Sequence, residues 1–305
     1  MGDSLSHNPR KIVTARDIAM FLGTKIHGED VEINSVCSLD SIDERSLLFS
    51  KTKLDGKLLS GYSQVCLITT ELPVDVVSGT FILVENPRLA FAKVLAEFFL
   101  KKEKPGIGKH SVVAPSAKIG QDVSIGNNCT IGENVVIGDK TIIRNNVVIA
   151  DDVKIGANCL LRSNCVIGEE GFGFEDDKDG TPVRIPHLGS VKIGDFVEVG
   201  NFTAIACGTL KDTTIGSHVK IDNLVHIAHN CVIGESTMVI ACAEVSGSAI
   251  VGERCWLGVG SVTMQKIKIE RNSTIGIGAV VLKDVPQNAV MAGNPARLLR
   301  FKSSD

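Results

Sequence analysis

Asp222, His226 and His229 sit close together in the stretch "IDNLVHIAHN", which holds two of the chain's seven histidines. An imidazole is the side chain best suited to take a proton from an amine near neutral pH, and a carboxylate beside it fixes its tautomer and raises its basicity. Asp222 and His229 are the residues for that chemistry. A pair of histidines is also half of a metal site, but no third ligand shows convergent spacing, so no metal is expected. The plain alternative for either ring is a solvated surface imidazole, which is the favoured reading for His226. The choice depends on where the fold places each side chain.

The elements that carry them are set by a repeat. From Ile119 an aliphatic residue recurs every six positions, through Ile125, Ile131, Ile137, Ile143, Ile149, Ile155, Leu161 and Ile167. The frame breaks after Gly168 and resumes at Ile193, Val199 and Ile205. It then shifts by four residues and runs from Ile215 to Val281, lapsing only at Thr263. The position four after each aliphatic residue is small: Val123, Cys129, Val135, Thr141, and later Val225, Cys231, Ala243 and Ala249. Two inward positions per six residues, one large and one small, fit a short strand and a tight corner. Three such faces close a triangular coil of about 18 residues, with residue i stacked below i+18 at about 4.8 Å. The pattern predicts a parallel β-helix of about eight coils over residues 105–290, preceded by a small α/β domain at 1–104 and followed by a polar tail at 291–305. It also predicts that Cys129, Cys159, Cys165, Cys231 and Cys255 are packing residues.

The first hundred residues lack the period. "TARDIAMFLG" reads as a capped helix with Thr14 as N-cap and Gly23 as stop. "VCLITT" and "TFILVE" read as buried strands, and "NPRLAFAKVLAEFFL" as an amphipathic helix with Pro87 at its start.

Composition narrows the function. The net charge is −3 and no Lys/Arg block occurs, so nucleic acid is not an expected partner. Nine cysteines, with no Cys-x-x-Cys pair, argue against a disulfide framework and for a reducing, cytoplasmic compartment. The N-terminus has no apolar signal core and no apolar run reaches the length of a membrane span.

The stacking rule gives the histidines a geometry. His229 lies two places after inward Ile227, so its ring points away from the prism axis. Gly247, 18 residues on, stacks over it. A glycine there leaves room for a ligand against the backbone, and its N–H is a candidate donor to a reacting carbonyl.

The hexapeptide text resembles the left-handed parallel β-helix acyltransferases. Left-handedness is implied by that resemblance alone, since the general rule for parallel crossovers favours right-handed. The stretches "GEEGFGFEDDKDGTPVRIPHLGSVKIGDFVEVG" and "LKDTTIGSHVKIDNLVHIAHNCVIG" resemble the UDP-3-O-acylglucosamine N-acyltransferase family of lipid A synthesis. The N-terminal segments "TARDIAMFLG", "VCSLDSIDERSLLF" and "NPRLAFAKVL" extend the likeness over nearly the whole chain. The resemblance implies a homotrimer with active sites between subunits and attack of a sugar amine on an acyl thioester. It makes His229 the general base, Asp222 its partner and the Gly247 amide an oxyanion donor. Asn223, Phe49, Phe172 and Phe174 are candidate substrate contacts, the two loop phenylalanines being equally well explained as packing.

The chain departs from that family at three points. An aromatic, Asn-Pro-Lys-Tyr segment for the uracil ring is replaced by "LLFSKTKLDGK", where only Phe49 remains. A second family histidine aligns with Lys266. The family's C-terminal helical extension is missing, and "IGIGAVVLKDVPQNAVMAGNPARLLR" resembles instead the tail of coenzyme A-dependent sugar acetyltransferases. That second likeness implies Gly258, Gly276 and Arg297 along the CoA arm and phosphates. The expectation is therefore an N-acyltransferase using acetyl-CoA, or another acyl thioester, on a nucleotide-linked amino sugar. Two alternatives stay open: lipid A acylation from a 3-hydroxyacyl carrier protein, and a non-catalytic β-helix binding module.

Overall fold

The structure, a computed structural model, describes residues 13–52, 54–73, 78–101 and 103–302. The readings of the extreme N-terminus, and those that touch Lys53 and Lys102, lie outside these residues. Two compact units are present, 1–102 and 103–305.

In the first unit, a five-stranded sheet has the order 26–27, 80–83, 66–69, 46–49 and 35–36. Its first pair is antiparallel and the rest are parallel. Helix α1 (Ala15–Phe21) begins with a capping box, in which Thr14 Oγ1 accepts from the Asp17 N–H and the Asp17 carboxylate accepts from the Thr14 N–H. Gly23 follows it at φ +71°, the left-handed conformation that stops a helix without strain. Helix α2 (Pro87–Val94) has Asn86 as N-cap and Pro87 in its first turn, and runs into a π turn at 95–99. Ile18, Ile33, Leu47, Ile68, Ile82 and Val94 close the core of this unit.

The second unit is the predicted prism, a left-handed parallel β-solenoid. Its three faces are sheets of eight, nine and eleven strands. The register is i to i+18 wherever the period is intact: Ile125 pairs with Ile143, and Ile227 with Val245. The aliphatic and small slots are buried together in one continuous core, which also takes in the five cysteines named above. Burial pushes the Cys165 and Cys231 thiols up to about 12, so they serve as packing groups rather than nucleophiles. Ile119 departs from the pattern. It is 37% exposed, because its strand is the first of its sheet and has no coil beneath it.

Most corners turn through one residue in the left-handed region, with φ of 56° at Asn128 and Asn134 and 59° at Asn146 and Asn230. Asn and Asp recur at this place because their short polar side chains tolerate it. Corner side chains also tie coil to coil: Asn145 Oδ1 accepts from the Asn127 N–H at 2.8 Å, and Asp139 Oδ1 from the Gln121 N–H at 2.8 Å.

The tail is no loose cap. Ala289–Ala292 continues one face in parallel, and Arg297–Phe301 folds back antiparallel upon it, so residues 289–301 form a hairpin.

Candidate active site

The repeat is interrupted twice, and both interruptions leave the prism at the same corner. Residues 169–190 depart after the strand Val166–Ile167, and residues 206–212 after Ala204–Ile205. One coil further on, that corner is Ala228–Cys231, between strands His226–Ile227 and Val232–Ile233. The two insertions bind each other. The Leu188 N–H donates to the Thr209 carbonyl at 2.7 Å, the Gly189 N–H to the Gly208 carbonyl at 2.9 Å, and the Cys207 N–H to the Glu169 carbonyl at 2.9 Å.

His229 is the half-buried imidazole on which they converge. On one side it meets Gly247, where an added Cβ would lie 2.8 Å from both Cε1 and Nε2. The Gly247 N–H has no acceptor among the described residues. On another side stands His187, whose ring meets that of His229 edge to face at 5.2 Å between centroids. Asn230 holds the Nδ1 edge, with its Nδ2 at 3.1 Å from that nitrogen. The Asn230 amide is itself clamped by Thr209: the Thr209 N–H donates to Oδ1 at 2.8 Å, and Nδ2 donates to Thr209 Oγ1 at 2.6 Å. Burial first, and then the neighbouring His187 and His226, hold the His229 ring below its ordinary basicity. The ring is therefore neutral at pH 7, as a base must be before it acts.

Asp222 stands elsewhere. Its Oδ1 accepts from the adjacent Asn223 N–H at 2.7 Å, and no hydrogen bond joins it to His229 among the described residues. It lines a cleft of about 220 Å³ with Arg162, Glu198, Lys220 and Ile240. The partner of the imidazole within this chain is Asn230, the third residue of the Ala-His-Asn segment. The Asn223 side chain caps the neighbouring coil, accepting from the Asn201 N–H at 2.7 Å. His226 is the surface ring expected, bound to Glu244 at 2.9 Å, and that hydrogen bond raises its pKa.

The inserted loop carries Phe172, which is 87% exposed, and Phe174. Their rings touch at 4.8 Å, and the Arg184 guanidinium lies over Phe174 at 4.9 Å. Phe49 packs on Phe91 at 4.8 Å inside the first unit. Gly258 and Gly276 are stacked corners whose N–H groups donate to Ile275 and Met291, and Arg297 donates to the Ala296 carbonyl at 3.0 Å. Among the described residues no group of three or more His, Cys, Asp or Glu side chains could hold a metal ion. No helix among them is long and apolar enough to cross a membrane.

His187 and Thr209 escaped the sequence reading. Both lie in the interruptions, where counting by 18 does not apply.

The repeats match the family model described as bacterial transferase hexapeptide (six repeats) at residues 104–139 and 134–169, and the model of the hexapeptide repeat of succinyl-transferase at 248–283. Solved structures with the same prism include UDP-N-acetylglucosamine O-acyltransferase from Moraxella catarrhalis RH4, 28% identical with a TM-score of 0.58, covering 63% of this chain and 72% of that one. Across the whole chain the likeness is closer to UDP-3-O-acylglucosamine N-acyltransferases. That of Campylobacter lari is 40% identical, over 92% of each chain, and that of Campylobacter curvus is 42% identical, over 91% of each. With about nine tenths of its length matched at this identity, the chain is an acyltransferase and belongs to the UDP-3-O-acylglucosamine N-acyltransferase family.

Proposed function

We propose that this enzyme acylates the glucosamine amine of a UDP-3-O-acylglucosamine, taking the acyl group from a carrier-protein thioester. The observation that carries this reading is the packing of a neutral His229 against Gly247, in a chain matched across nine tenths of its length by enzymes of that name. The amine nitrogen attacks the thioester carbonyl, and His229 takes the amine's proton. Negative charge gathers on the carbonyl oxygen, where the unpaired Gly247 N–H supplies a fixed donor. Collapse of the tetrahedral intermediate forms the amide and expels the thiolate, which receives the proton held by His229. With Asn230 donating to Nδ1, the resting ring carries its proton on Nε2. Reaction at Nε2 therefore uses the other tautomer, in which the Asn230 contact is given up.

The subunits would assemble as a trimer, by analogy with the resembling enzymes. Acetyl transfer from coenzyme A is the weaker reading. It rests on the Gly-Asn-Pro-Ala-Arg tail, whereas Arg297 here binds its own backbone, and the exposed hairpin adds Arg300 and, beside it, Lys302 as a basic edge. An acidic carrier protein is drawn to such an edge.

The test is thiol release with UDP-3-O-acylglucosamine as acceptor. A 3-hydroxyacyl carrier protein should be consumed far faster than acetyl-CoA. The reverse order restores the acetyl-CoA reading.

A further inference from the structure

His187 is 7% exposed and sits behind the Gly-Phe-Gly turn of the inserted loop. Its Nδ1 lies 2.9 Å from the Ile185 carbonyl, so Nδ1 carries the proton and donates. Nε2 is then the bare nitrogen, and it is buried with no partner among the described residues. The two glycines of the turn are what admit the ring. A Cβ at Gly171 would lie 3.0 Å from His187 Nε2 and 3.1 Å from His229 Cβ and Cδ2, while one at Gly173 would lie 3.0 Å from His187 Cε1.

A buried acceptor left without a donor is costly, so this ring is held where it is by its surroundings and not by Nε2. The His187 ring is also one of the neighbours that hold the His229 imidazole below its ordinary basicity. The other charged groups around the pair are engaged. His226 is bound to Glu244, and Glu170 takes the His187 N–H at 3.3 Å and Arg184 at 3.2 Å. Asn230, on the remaining side of His229, is neutral.

We propose that His187 is a positioning residue for His229: pinned at Nδ1 and packed edge to face on the second ring, it holds the base over Gly247. The inference rests on the reading of His229 as the base. It assigns the inserted loop a share in the chemistry, and the Gly-Phe-Gly glycines the task of making room for the second imidazole.

The test compares His187→Gln and His187→Ala with the parent enzyme, measuring kcat and KM from about pH 5 to 8. The substrates are UDP-3-O-acylglucosamine and a 3-hydroxyacyl carrier protein. In both variants the acid limb of kcat/KM should move to higher pH, because His229 loses one of the neighbours that hold its basicity down. In His187→Ala the plateau kcat should also fall about tenfold with KM for the thioester unchanged, the mark of a misplaced base. In His187→Gln, which refills the space, the plateau should stay within about threefold of the parent. A limb unmoved in both variants, or an undiminished plateau in His187→Ala, overturns the proposal. Should His187→Ala fail to fold, His187→Gln decides alone: an acid limb moved to higher pH is expected, and an unmoved limb overturns the proposal. A His229→Ala enzyme that keeps its activity would sink the base assignment itself, and a parent without thiol release would sink the function.

Discussion

The imidazole of His229 rests on the backbone of Gly247, so close that a single methyl group at 247 would stand 2.8 Å from Cε1 and Nε2. Gly247 is not among the residues with positive φ, so an alanine costs the backbone little and strikes only the ring. Gly247→Ala should therefore lower kcat by about 10²-fold while leaving the melting temperature close to the parent's. Steady-state kinetics with a thermal melt check it; a large drop in melting temperature would mean the contact is structural.

His229→Ala should lower kcat by about 10²–10⁴-fold, the range for a lost general base, with little change in folding because the ring is only half buried. His226→Ala should cost far less, since that ring only meets Glu244 on the solvent side of its face. Equal losses in the two variants would show that the imidazoles have been assigned the wrong way round.

The depressed basicity of His229 has a thermodynamic counterpart. Its folded-state pKa lies below the unfolded value of about 6.5, so the unfolded chain binds the proton more readily. Stability is lost as pH falls through the unfolded value towards the folded one, and none is lost at neutral pH. His226 runs the other way: its raised pKa adds stability below about 6.5 that fades as pH rises through the folded value, weakened by its exposure. Denaturant melts of His229→Ala should thus gain on the parent between about pH 7 and 5, and those of His226→Ala should lose ground. Curves that stay parallel over that interval would contradict both assignments.

The proposed trimer needs a surface to bury. Phe202 and Leu224 stack on one corner ridge, 61% and 59% exposed, with the Leu224 N–H bound to the Asn201 carbonyl at 2.9 Å. Apolar side chains on a ridge of this kind are what a three-fold interface would cover. Light scattering should give a mass near three times the 32.5 kDa chain. Leu224→Glu should shift the population towards monomer; a monomeric parent enzyme refutes the trimer.

How much of this the sequence carries depends on whether the period holds. Where it does, arithmetic suffices: Ile227 and Cys231 point inward, and Gly247 falls over His229 because 18 residues make one coil. The register is the physical reason, since each strand is fixed by the one below it. Spacing does not settle Asp222, because being on the same coil does not decide where a carboxylate turns, and within this chain it accepts from its neighbour's N–H. His187 and Thr209 were out of reach for a different reason. Their positions are set by loop-to-loop hydrogen bonds, and no periodic rule counts across the excursions 169–190 and 206–212.

The tail shows the same limit. "RLLRF" carries no inward slot, so hydrophobic spacing could not announce a strand. It pairs back on Ala289–Ala292 all the same, because the last parallel strand leaves an open edge that backbone groups can satisfy.

The faces keep their pairing straight through both interruptions: Lys154 lies beside Lys192, and Lys192 beside Thr214, although the chain between them differs in length. A solenoid joins each coil only to its neighbours, so the ladder does not register what is spliced in at a corner. The loop that carries His187 can accordingly be lengthened, shortened or exchanged without resetting the strands that hold His229. In such a molecule the frame and the loops spliced into it are free to change at separate rates.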